Sequence, residues 1–478
     1  MVQTGNARSD RVVGQSPRSY PGRYGPRNEE AFPLLRVMTA FTVLLLLFLI
    51  RPVHAADYYL TATGDDRDTG LSSDHAWRTL DRVNQLELLA GDRILLEAGT
   101  TFLGPLLLDG ADRGTESAPI TVTTFGNGPA VIEAGEGMGI FVRSTAGVIL
   151  SNLHVSGNHH PHNNSDGIAI HNDLDGALLL TGITIDHVEV SGFGKNGISI
   201  GGWNGDSGFR NVRVTHTRIH DNGLNGLVTY AQHPRANKDV YIAYVEAYRN
   251  TGLPGVVPHS GSGIILGNVE NGVIEWSKAY ENGRLGNAGV GIWTYDSTKV
   301  VIQHNESFAN RTSGEADGGG FDLDGGVTDS VMQHNFSHDN DGAGYGLYEY
   351  AEAPPWYGNT VRHNLSVNDG RKNGAAGIQI WNGGTSLLAD ATIHDNIVMM
   401  GPSEDVTPSA IAFKSPSQGF SIYQNAFIAS GEAILVFKPA EQVHLHMSDN
   451  RCWSMTTRSL WDESLEREVC AIYFRFPG

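Results

Sequence analysis

The residues best placed to do chemistry lie in Asp317–Gly326, which reads Asp-Gly-Gly-Gly-Phe-Asp-Leu-Asp-Gly-Gly. Phe321 and Leu323 alternate with Asp322 and Asp324, the period-two pattern of a half-buried strand. Both carboxylates then leave one face, with α-carbons about 6.6 Å apart. Two acids held this close raise each other's proton affinity, so one keeps its proton when the other is ionised. That division suits glycoside hydrolysis: a general acid protonates the leaving oxygen and the second carboxylate serves as base or nucleophile, with rotamers able to set either the inverting or the retaining separation. Asp317, in the turn before the strand, is a third acid within reach. No cofactor is required for such chemistry, but an oxygen-rich Asp and Gly loop also suits calcium, so Asp317, Asp322 and Asp324 are candidate ligands as well.

Positioning these acids requires a repeating scaffold, and the chain supplies one. A Gly-apolar-x-apolar strand opens at Gly167, Gly197, Gly226, Gly263, Gly291, Gly320, Gly346 and Gly377, with Ala410 and Ala433 in the same role. A second strand falls between consecutive openings, as in Ile183–Ile185, Val212–Val214, Val240–Ile242 and Val300–Ile302. Repeats of roughly 20 to 50 residues mark solenoids or propellers, and two short strands with variable loops and no Trp-Asp or kelch pattern predict an all-β parallel β-helix. Asparagines agree with this reading. Asn305, Asn335, Asn364, Asn396 and Asn425 hold one equivalent position, and Asn222, Asn250, Asn282, Asn310 and Asn340 hold another. Coils stacked about 4.8 Å apart would join them into amide ladders. His187, His216, His304, His334 and His363 recur at nearly one position and read as a stacked surface column rather than a metal site.

With the openings in register, the outward columns run through His171, Tyr230, Trp293 with Tyr295, Asp322 with Asp324, Tyr348 with Tyr350, Gln379 with Trp381, and Lys414. Aromatic pairs therefore flank the acids, as a sugar-binding groove needs, because sugar C–H faces stack on rings while hydroxyls seek acceptors. Glu349 falls on the inward side of its strand. It is either a buried, paired acid or a fourth catalytic candidate turned outward by a bulge.

The 478 residues, 40% hydrophobic, can bury a large core, and the 59 glycines are dispersed as turns. A net charge of −19 argues against nucleic acid and anionic membrane surfaces as partners, and leaves a polysaccharide or oligosaccharide. Residues 1–36 are polar and read as disordered. In residues 37–55 the apolar run Ala40–Ile50 is short for a membrane span of about 20 residues, and Val53 and Ala55 are placed for signal-peptidase cleavage before Ala56. The expectation is a secreted or periplasmic monomer, with a surface anchor as the alternative. Residues 57–135 read as an N-terminal cap with the first coils, 136–450 as the repeats and 451–478 as a C-terminal cap. Trp77–Leu89 has helical apolar spacing. In an exported protein Cys452 and Cys470 could form one disulfide.

The opening Tyr58-Tyr-Leu-Thr-Ala-Thr-Gly64, followed by Trp77-Arg-Thr-Leu80 and Gly91-Asp-Arg-Ile-Leu-Leu96, resembles the N-terminal cap of bacterial right-handed parallel β-helix proteins of the pectate-lyase-like superfamily. The run Gln333–Leu347, together with Asp317–Gly326, resembles text that recurs in secreted right-handed β-helix repeat proteins. The acid cluster looks like that of polygalacturonase-type hydrolases, but their Asn-Thr-Asp and Gly-His-Gly motifs are absent. The resemblance covers most of the chain after Asp57 and implies the fold. Three activities remain open: a glycoside hydrolase; a polysaccharide lyase, in which calcium would hold a uronate and Lys414 or a tyrosine would take its proton; and a non-catalytic glycan-binding protein.

Overall fold

Alternating β-branched and aromatic residues fold into short parallel strands stacked coil upon coil. The computed structural model describes residues 55–478 apart from 257–258, 385–387, 405, 416, 438–444, 456–469 and 476–478. The polar region 1–36 and nearly all of the apolar segment 37–55 therefore lie outside the described residues, as does most of 451–478. Among the described residues no helix is long and apolar enough to cross a membrane.

Each central coil contributes three strands, one more than the sequence pattern predicts. In the coil carrying the acids these are Gly319–Leu323, Val331–Gln333 and Phe336–His338. The first belongs to a 12-stranded sheet, and the other two to a 26-stranded sheet that continues around a corner. The long strand Leu179–Ser191 bridges that corner, pairing with both Gly208–Thr215 and Arg218–His220. All the ladders between these strands are parallel and, in the central coils, free of bulges. The third strand escapes sequence reading because it is only three residues long in most coils, too short to display a period.

Bends between strands explain the asparagines. His304, His334 and His363 adopt left-handed backbone with φ of 53–56°, and Ala309 and Asp339 do the same at the next corner. The residue after each bend turns inward and carries an amide. Asn305, Asn335, Asn364, Asn396, Asn425 and Asn450 form one continuous ladder, each Nδ2 donating to the next Oδ1 at 2.9–3.1 Å. Asn222, Asn250, Asn282, Asn310 and Asn340 form the second, which ends on Asp369. Amide donors and acceptors are thereby matched in a dry interior, where an unmatched one would be costly.

The bend residues themselves stack at the surface. Trp276, His304, His334 and His363 lie ring on ring at 4.5–5.1 Å, and His187 stacks on His216 at 4.6 Å. The histidine column is thus real, although Asp186 supplies His187 and His216 with a carboxylate partner that the pattern does not predict.

At the N-terminal end the helical spacing of Trp77–Leu89 yields only a single turn, Leu80–Val83. Trp77 is instead a buried plug, stacked on Tyr58 at 5.2 Å with its indole N–H donating to the carbonyl of Asp68. Its apolar neighbours serve burial rather than helix formation. At the other end Cys452 and Cys470 are joined by a disulfide, and Cys470–Arg475 pairs in parallel with Asn450–Ser454.

Candidate active site

The 12-stranded sheet presents its outer face to a cavity of about 860 Å³. Three of its strands build the centre: Val290–Tyr295, Gly319–Leu323 and Tyr345–Glu349, followed by Ala376–Asn382. Trp293 pairs in register with Asp322, Asp322 with Gly346, and Gly346 with Gln379. Tyr348 accordingly faces Trp381, not Gln379. The alignment that opened this coil at Gly346 is therefore two residues late; Tyr345 pairs with Phe321, so the opening glycine is Gly344. Ala433 is displaced in the opposite sense, two residues early, since Ile411 pairs with Val436 and Ala410 therefore stands opposite Leu435.

This shift builds the site. Gly346 stands where a side chain would otherwise cover Asp322. A Cβ there would lie 2.9 Å from Asp322 Oδ1 and 2.8 Å from the Tyr348 ring, so both groups occupy the space that glycine leaves. Asp322 is consequently 2% exposed and does not line the cavity. Its Oδ1 has no hydrogen-bond partner, and burial, reinforced by Asp324 and Asp317, pushes its proton affinity well above the carboxylate range. Of the expected pair Asp322 and Asp324, only Asp324 lines the cavity, and Asp322 stands behind its wall. Three acids reach the cavity wall, the exposed Glu315 and, deeper, Asp317 and Asp324.

Asp317 sits on a left-handed turn, φ 50°, just ahead of the strand, and lines the cavity from there. Burial raises its pKa to about 6. Asp324 follows the last residue of the strand and accepts the N–H of Gly325 at 2.8 Å. That bond favours the charged form, yet burial together with Asp317, Glu349 and Asp296 still lifts Asp324 to about 7. Near neutrality, then, the pair holds one proton between two carboxyls.

Glu349 keeps its inward position, opposite Asn382 on a regular ladder, and is fully buried. No bulge turns it outward, so it acts on Asp324 through its charge and not from the cavity wall. Trp293, Tyr295, Tyr348, Tyr350, Gln379 and Trp381 all line the cavity as expected. Trp293 is fixed by its indole N–H to Ser262 Oγ at 3.0 Å, and Tyr348 by the amide of Gln379, which donates to its hydroxyl at 3.0 Å. Trp381 meets Tyr348 edge to face and remains 41% exposed. Lys414 does not join them. Its ammonium donates to the carbonyl of Gly374 at 2.7 Å, behind the lining residues Asn373 and Ala375. Among the described residues no lysine or arginine lines the cavity.

His259 and Asp296 were not anticipated. His259 lines the cavity edge-on to Trp293 at 4.9 Å, with its pKa lowered to about 4 by burial. The wide interval between Gly226 and Gly263 is the one sequence signal for the loop that carries it. Asp296 follows Tyr295 and accepts the hydroxyl of Tyr350. Among the described residues, the acidic trio does not bring its oxygens within 4.8 Å of one another as ligands of one ion would; the group that meets this spacing is Asp186, His187 and His216 at the surface.

The fold and the register make this chain a right-handed parallel β-helix protein, and residues 256–398 match the family described as right handed beta helix region. Its particular likenesses are to glycan-acting proteins. The chain is similar to the GH136 lacto-N-biosidase of Eubacterium ramulus, with 18% identity over 87% of this chain and 70% of that one, at a TM-score of 0.56. It is similar to the A-module of the mannuronan C-5 epimerase AlgE4 of Azotobacter vinelandii, with 16% identity, 75% and 91% coverage and a TM-score of 0.52. A segment of 72 residues is 36% identical to the lacto-N-biosidase of Bifidobacterium longum subsp. longum, spanning 15% of this chain and only 4% of that protein's length.

Proposed function

We propose that the protein is a glycoside hydrolase whose catalytic pair is Asp317 and Asp324. One observation carries the reading: two carboxyls with proton affinities raised toward neutrality converge on a single cavity walled by tryptophan and tyrosine. In the working state one carboxyl is protonated and donates to the glycosidic oxygen as the bond to the anomeric carbon breaks. The ionised partner attacks that carbon or takes a proton from the attacking water. Trp293, Tyr348 and Trp381 offer ring faces and edges to the sugar.

Among the described residues the wall carries no lysine or arginine, which supports a neutral glycan. A lyase or epimerase must neutralise a uronate carboxylate, and here Lys414 is not among the lining residues and the wall carries acids. The names of the two lacto-N-biosidases support hydrolysis and suggest oligosaccharides with a terminal lacto-N-biose unit as first substrates. The test is incubation of the protein with a panel of neutral and uronate-containing glycans, including such oligosaccharides, while reducing ends and ultraviolet absorbance are followed. New reducing ends without absorbance, from neutral members, support the reading. Absorbance from an unsaturated uronate overturns it.

A further inference from the structure

Beside the cavity, the turn that carries Asp324 is gripped from both neighbouring coils. Gly325 and Gly326 follow Asp324, and Gly326 has φ 71°. From the preceding coil, Asp296 donates its backbone N–H to the carbonyl of Gly325 at 2.8 Å. Its carboxylate also presses against Gly326, where any Cβ would collide with Oδ1. From the following coil, the Tyr350 ring lies flat against Gly325; a Cβ there would stand 2.5 Å from the ring carbons. The two gripping groups are joined to each other, because the Tyr350 hydroxyl donates to Asp296 Oδ1 at 3.0 Å. Two adjacent glycines are thus the condition for the close approach of both.

We propose that Asp296 and Tyr350 form a clamp that positions Asp324, with Asp296 acting through the Gly325–Gly326 turn rather than by touching the sugar. The proposal rests on the catalytic role given to Asp324 above. The clamp has a mechanical and an electrostatic part. Mechanically, it fixes the Gly325 N–H that Asp324 accepts, and so fixes the carboxyl rotamer. Electrostatically, the charge of Asp296 disfavours ionisation of Asp324. The other groups facing Asp324 are Asp322 on the strand just before it, Asp317 from the turn ahead of that strand and Glu349 from the next coil, with the hydroxyls of Tyr295, Tyr348 and Tyr350 around it. Burial raises the proton affinity of Asp296 itself, and Tyr350 and Arg235 oppose that by favouring its charged form. Arg235 reaches it from a distant loop and anchors on Thr328 Oγ1 at 3.2 Å.

Two substitutions separate the parts. Asp296→Asn keeps an acceptor for Tyr350 and removes the charge; Tyr350→Phe keeps the charge and removes the bond. Protonation of Asp324 can be followed without substrate by the infrared carbonyl band of the protonated acid, assigned by its loss in Asp324→Asn. Positioning can be followed by amide hydrogen exchange over residues 324–327. In Asp296→Asn the Asp324 midpoint is expected to fall by about half a pH unit, as removal of one partly hydrated like charge implies, and exchange is expected to stay slow. In Tyr350→Phe exchange over 324–327 is expected to quicken about tenfold while melting temperature and exchange elsewhere hold. For any oligosaccharide that the wild type cleaves, the alkaline flank of kcat should move down with the Asp324 midpoint in Asp296→Asn. An unchanged midpoint in Asp296→Asn together with unchanged exchange in Tyr350→Phe overturns the clamp. If both move but no glycan of the panel is cleaved, the clamp stands and the hydrolase reading falls.

Discussion

Two regions of the same coil handle buried polar groups in opposite ways. At the corner, Asn310 donates to Asn340 at 2.9 Å and is met from the other side by Asn282 at 3.0 Å, so every amide has its match. On the sheet facing the cavity, Asp322 lies equally deep, yet its Oδ1 is unmatched and three acids crowd together. Both arise from the same in-register stacking. Where like is stacked on like with complementary donors and acceptors, the repeat stabilises itself. Where one coil inserts acids between Trp293 and Gly346, stacking leaves Asp322 Oδ1 without a partner, while Asp317 and Asp324 beside it open onto the cavity.

The largest expected effect falls on the unmatched side. Asp317→Asn and Asp324→Asn should each lower kcat by about 10²–10⁴-fold on whichever glycan is cleaved, measured under saturating substrate. The same variants should be more stable than wild type at pH 7. Both acids have folded-state pKa values above the ordinary 3.8, so the stability they contribute is present below about pH 4 and lost as pH rises through about 6 and about 7. Removing the Asp324 titration should return on the order of 2 kcal/mol at pH 7, readable by chemical denaturation at pH 4 and 7.

On the matched side the signs reverse. Asn335→Leu strands Asn305 on one side and Asn364 on the other, and should destabilise by about 2–4 kcal/mol in denaturant melts while leaving kcat unchanged where the protein is folded. Gly346→Ala lies between the two cases. It should displace Asp322 or Tyr348 and lower kcat/KM by about tenfold, a change in activity larger than the change in melting temperature. The pH profile sharpens the comparison further: kcat should rise through about 6 and fall above about 7, with both flanks belonging to the Asp317–Asp324 pair. The smallest effects belong to the corrected residues. Asp322→Asn should retain turnover within about threefold, since Asp322 stands behind the cavity wall and burial favours its uncharged form, and Lys414→Met should leave KM unchanged in the same assay.

The fold was legible because stacking repeats its own evidence: glycine openings, two asparagine positions and a histidine column recur in coil after coil. The three-residue strands were not, since a period cannot be read from so short a run. The candidate site was legible as a region, with Asp317, Asp324 and six wall residues named, but its register was not. Ala343-Gly-Tyr-Gly-Leu347 offers two glycine frames two residues apart, and a strand looks the same from both, because the inward and outward faces are unchanged by that shift. The difference decides whether a ring or a hydrogen atom sits over Asp322, which is a matter of packing. Asp296 was invisible for a similar reason: an acid after a strand has no distinguishing neighbours in sequence, and its partners Gly325, Gly326 and Tyr350 come from other coils.

The most direct test of the central claim compares wild type, Asp317→Asn, Asp324→Asn and Asp322→Asn on one glycan panel, following reducing ends and ultraviolet absorbance with and without chelator. The account predicts reducing ends without absorbance in the wild type, loss in the first two variants, near-wild-type turnover in the third, and no response to chelator. Full turnover in Asp317→Asn or Asp324→Asn, or loss confined to Asp322→Asn, would contradict it.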